Sequence, residues 1–194
     1  MYNLQTSVEI NGASFGIRDK GDFRMVLKCF KALNDPEIIG IEKLYTTLII
    51  FYEDFENLDD LLEHEDIIED LLKQMFLFFD NGEDNLQSNT GSHRVLDWDK
   101  DSNLICSAVN NIAKQEIRSL EYLHWWTFLG YYMAIGECLL SHVISIRYKI
   151  ATEQKLDKHE QKFRQENPQF FDIDMRSIEQ KEADDYIKQF WGDA

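Results

Sequence analysis

Residues that interrupt helices are scarce in this chain: two prolines and nine glycines in 194 residues. Proline removes a backbone donor and glycine loses the most entropy on folding, so their scarcity favours long helices over a turn-rich β fold. Cysteine is scarce too. Cys29, Cys106 and Cys138 are odd in number, widely spaced and set in apolar runs, with no C-x-x-C. They read as free thiols of a reducing compartment, not as a disulfide framework or a zinc site. No apolar run approaches a membrane span without a charge. The start, "MYNLQTSVEI", lacks the basic and apolar regions of a signal peptide. Bases are outnumbered, 20 against 36 acids, for a net charge of −16. Such a surface repels nucleic acid phosphates and anionic membranes. It suits solubility or a partner with a basic face, and the one nucleic-acid role it leaves open is mimicry of DNA.

Chemical signatures are also missing. There is no GxGxxG or GxxxxGK[ST] for a nucleotide, no GxSxG elbow and no HExxH. Cys138 and His142 lie one helical turn apart, but no orienting third group or oxyanion donor accompanies them. "DWDKDSN", Asp97 to Asn103, has the opening acids of a calcium loop. It places Ser102 where glycine belongs and Ala108 where the bidentate glutamate belongs. The expectation is therefore a protein with no catalytic residues, no cofactor and no metal.

What is present is apolar mass in helical rhythm. Hydrophobic residues make up 44% of the chain, with thirteen Phe, eight Tyr and four Trp, enough for a sizeable core. Asn11-Gly12 sits inside "SVEINGASFGI" and predicts a hairpin in which Val8 and Ile10 pair with Phe15 and Ile17. Asp22 caps a helix with Phe23, Val26, Leu27, Phe30 and Leu33 on one face, stopped at Asn34–Pro36. A second helix follows, carrying Ile41, Leu44, Tyr45, Leu48 and Tyr52. Glu53 to Asp70 then holds ten acids and no Lys or Arg. Through it Leu58, Leu61, Leu62, Ile68, Leu72, Met75 and Phe79 keep a helical beat. This is either a solvated acidic face or a docking surface in which Asp59, Asp60 and Glu63 meet a basic partner.

Asn81 to Arg94 is polar and reads as a flexible joint. Asp101 or Ser102 then caps a helix with Leu104, Ile105, Ala108, Val109 and Ile112 inside. Ser119 is expected to cap a further helix containing "LEYLHWWTF". That helix is apolar nearly all round, so Trp125, Trp126 and Phe128 read as core, with the two tryptophans on adjacent faces. "SHVISIRYKI" begins another, with Ile144 in the core, running through Leu156 and Phe163 to Asn167. The tail has a capping-box pattern at Ser177 and Gln180. Its apolar Ile187, Phe190 and Trp191 are candidate partner-binding residues. The fold class is mainly α: a helical domain with a short N-terminal β-hairpin and a C-terminal amphipathic helix. The expected divisions are 1–80, hairpin plus helices; 81–96, a flexible polar linker; 97–167, a central helical half of the same domain; and 168–194, the tail helix.

The runs "VLDWDKDSNLICSAV", "EYLHWWTFLGYYMAIGE" and "SHVISIRYK", in this order, resemble the bacteriophage gp15-like family of small tail-region proteins of siphophages. The resemblance covers about residues 3 to 150 and includes "DFRMVLKCFKALNDPEI" and "FFDNG". It implies a non-enzymatic tail assembly chaperone. Such a protein coats the tape-measure protein in the host cytoplasm, helps recruit tail-tube protein and is absent from the mature virion; a homo-oligomer is a further expectation, since self-association would let many weak contacts add along a long target. The chain departs from the family pattern after Arg147, where no helix breaker follows, and in its longer tail. An acidic inhibitor or DNA mimic aimed at a host DNA-binding enzyme is the alternative that the acidic stretch motivates.

Overall fold

Asn11 and Gly12 set the first element. In the computed structural model of the chain, which describes residues 3–82 and 93–176, their φ angles are 52° and 83°. Positive φ at both positions is what a two-residue hairpin turn of this type requires. It joins β1 (Ser7–Ile10) to β2 (Ala13–Gly16), antiparallel, with Val8 opposite Phe15 and Ile10 opposite Ala13. Ile17 is not in this ladder's named strands. A turn centred on residues 11 and 12 places it opposite Thr6, whose carbonyl accepts the Ile17 N–H at 2.8 Å, and it bridges Tyr52 instead.

The helices follow in order: α1 (Phe23–Asn34), α2 (Glu42–Phe51), α3 (Leu58–Leu62), α4 (Ile68–Phe79), α5 (Ser102–Ala113), α6 (Trp125–Met133), α7 (Leu139–Ala151) and α8 (Lys158–Glu166). The chain is mainly helical with a short N-terminal hairpin. The expected tail helix, with Ser177, Ile187, Phe190 and Trp191, lies outside the described residues, as do residues 83–92 of the polar joint. The described residues group into two units, one from 3–82 and 109–134, the other from 93–108 and 135–176.

In the first unit α1 packs on α2 and α6, and α4 packs on α2. Its interior is aromatic. Phe23 and Phe128 stack at 4.8 Å between ring centroids, Trp125 and Phe128 at 5.4 Å, and Phe51 meets Phe78 and Phe79 edge-on. Such pairs each add about 0.5–1.5 kcal/mol beyond their burial. Gly21 has φ +77°, and a Cβ there would lie 2.7 Å from the Phe78 ring. Only glycine meets both conditions.

The second unit is built on Ile105, Leu140, Val143 and Ile146, all buried. The Phe163 ring packs beside Phe170 and Phe171, and His142 meets it edge-on at 4.8 Å.

Two expected helices are shorter than their apolar patterns. The helix expected from Leu120 begins at Trp125, capped by His124 rather than Ser119. Long-range bonds explain the late start. The Leu123 N–H donates to the Asp22 carboxylate at 2.8 Å and its carbonyl accepts the Phe23 N–H at 2.9 Å. Backbone held extended against Asp22 cannot also join a helix. The helix expected to run from Ser141 to Asn167 is two. α7 ends at Ala151, and Glu153 takes the left-handed conformation, φ 55°. Asp157 and Glu160 then form a capping box that starts α8. The D-x-x-E spacing was a readable start signal.

Candidate protein-docking surface

The motifs that looked most distinctive are occupied in holding the fold. In "LHWW", the His124 Nδ1 accepts the Trp126 N–H at 3.0 Å, capping α6. With Nδ1 accepting, the proton is on Nε2, which donates to the Gln5 carbonyl at 2.9 Å. Burial pushes the His124 pKa down, against the Gln5 carbonyl and the Asp22 charge, which favour protonation. His124 is thus a neutral cap. The Trp125 and Trp126 indole N–H groups donate to the Phe79 and Phe78 carbonyls, each at 2.9 Å. Consecutive tryptophans close the last turn of α4, where helical carbonyls lack donors from their own helix. Trp125 and Phe128 are buried, whereas Trp126 and Ile144 are half-buried.

"DWDKD" and "VISIR" meet in the second unit. Asp97 accepts the N–H groups of Asp99 and Lys100 and pairs with Arg94. Asp101, expected as a cap, directs its carboxylate elsewhere. It pairs bidentately with Arg147 at 2.6 and 2.8 Å and accepts the Asp97 N–H at 2.9 Å. Arg147, 1% exposed, also donates to the Val95 and Phe170 carbonyls. This residue was missed in the sequence. The available signal was a charge inside an apolar run on a helix. Among the described residues no group of three or more His, Cys, Asp or Glu is placed to hold a metal.

Cys29 and Cys138 are engaged in the fold. Burial pushes the Cys29 thiol up to about 12, far from a thiolate at neutral pH. Cys138 caps α7, while the His142 ring packs against Phe163.

What faces outward in the Glu53–Asp70 stretch is mainly its acids, while Phe55, Leu61 and Ile67 are buried. The stretch is anchored at its start, where the Gly16 carbonyl accepts the Glu53 N–H at 3.0 Å and Asp54 accepts the Gly16 N–H at 2.7 Å. Asn57 caps α3 through the Asp59 and Asp60 N–H groups. Asp59 and Glu63 are exposed. Asp60 is half-buried, its carboxylate accepting from the Glu56 N–H and the Asn57 amide, both at 3.0 Å. Leu58 and Leu62, which share the helical beat of this stretch, are 46% and 41% exposed, while Leu61 between them is fully buried. Ile187, Phe190 and Trp191, the other candidate partner contacts, lie outside the described residues.

A protein-family model described as Bacteriophage Gp15 protein matches residues 1–171. No curated protein and no solved structure matches the chain.

Proposed function

The chain belongs to the bacteriophage Gp15 protein family, and from that premise we propose that it is a non-enzymatic tail assembly chaperone. It binds the tape-measure protein of the same phage in the host cytoplasm, helps recruit tail-tube subunits, and is left out of the mature virion. The observation that carries this reading is the family match over residues 1–171. Exposed apolar side chains beside acids that form no ion pair among the described residues support it, because they suit binding another chain. The family implies a helical tape-measure partner, so the mode of binding is helix against apolar face. Self-association of the chaperone along such a target lets weak contacts add. A net charge of −16 keeps the coated complex soluble.

Co-expression with the tape-measure protein tests this. The expected result is a soluble complex that survives a pull-down through a tag on either partner. A tape measure that stays insoluble, with nothing retained, would sink the proposal.

A further inference from the structure

The outer face of α3 exposes apolar side chains. Leu58 and Leu62 are four residues apart, which puts them on the same side of the helix, and both are substantially exposed. The helix is anchored by burial and by its cap. Leu61 is buried, and the Asn57 cap and the Asp60 carboxylate fix the first turn. The leucines are therefore presented on a pre-organised element rather than on a loose loop.

Their surroundings select the partner. Of the ten acids from Glu53 to Asp70, none forms an ion pair among the described residues. Asp59 and Glu63, on α3 and its C-cap, are like charges spaced four apart, a destabilising arrangement. An incoming cation relieves that repulsion. A second copy presenting this same face would set acid against acid, and nucleic acid and anionic membranes are repelled likewise.

We propose that the Leu58–Leu62 face with its collar of carboxylates docks a basic amphipathic helix of another protein. That helix presents two apolar side chains one turn apart between lysines or arginines. The leucines supply the desolvated centre and the acids supply steering and register. This deepens the chaperone reading by naming the surface and the chemistry of the segment bound.

The test uses the full chain and a synthetic Leu/Lys amphipathic peptide of about 18 residues, long enough to form a helix. A Leu/Glu peptide of the same pattern is the control. The Leu/Lys peptide is expected to bind, more weakly as salt rises, and the control is not. L58S/L62S is expected to lose roughly tenfold in affinity with an unchanged melting curve, since both side chains are exposed. D59K/E63K is expected to abolish binding. Equal binding of the two peptides, or wild-type affinity in both variants, overturns the proposal. So does self-association of the wild-type chain that D59K/E63K removes. A pull-down with the tape-measure protein separates the two readings. If wild type and L58S/L62S retain it equally, this inference falls and the chaperone reading stands. If wild type retains none while the peptide result holds, the reverse applies.

Discussion

Arg147 and Asp101 make up a buried pair whose two members are 1% and 3% exposed. Removing one partner leaves the other charge in the core without compensation, a loss of about 3–5 kcal/mol. R147M is therefore expected to lower the urea midpoint sharply, and D101N/R147M, which removes both charges, is expected to recover part of it. His124 gives a pH dependence whose sign follows from its lowered pKa. The native state binds the proton less readily than the unfolded chain, whose ordinary value is 6.5. The stabilising contribution is full above that value and is lost as the pH falls through the depressed native one. Thermal melts from pH 7.5 down to 5 are expected to show falling stability. H124N keeps an acceptor for the Trp126 N–H and is expected to flatten that part of the profile.

At the scale of elements, caps govern where helices begin and end. The tandem indoles illustrate this, since each meets a carbonyl at the end of α4. W125F keeps a ring in the core but leaves the Phe79 carbonyl without its indole donor, at about 1–3 kcal/mol. W126F is expected to cost less, because Trp126 is half-buried and water can replace the lost donor. Chemical denaturation of the two variants side by side measures the difference. At α8, D157A removes a side chain that accepts from the His159 and Glu160 N–H groups. About 1 kcal/mol is the expected loss, seen as reduced helicity and a lower midpoint.

The whole molecule carries 36 acids against 20 bases, and its densest acidic stretch is unpaired among the described residues. Screening by added salt should then stabilise the free protein, because repulsion between exposed charges is screened while the buried Asp101–Arg147 pair is not. A melting temperature that rises from low salt to about 0.15 M is the expected result; a fall would show that exposed ion pairs dominate. Much of the fold was legible along the chain. The Asn11-Gly12 turn, the Asp22 cap of α1, the mainly helical class and the acidic face all depend on residues within a few positions of one another, so local conformational preference and spacing suffice to read them. The rest was decided in three dimensions. α6 starts late because the distant Asp22 takes the Leu123 N–H. Arg147 is buried because Asp101, Val95 and Phe170 converge on it from other segments. Leu58 and Leu62 repeat with the same period as buried Leu61 and Met75, yet remain exposed. Periodicity defines a face, but only neighbours distant in sequence determine whether that face is covered, and at α3 it is left open among carboxylates.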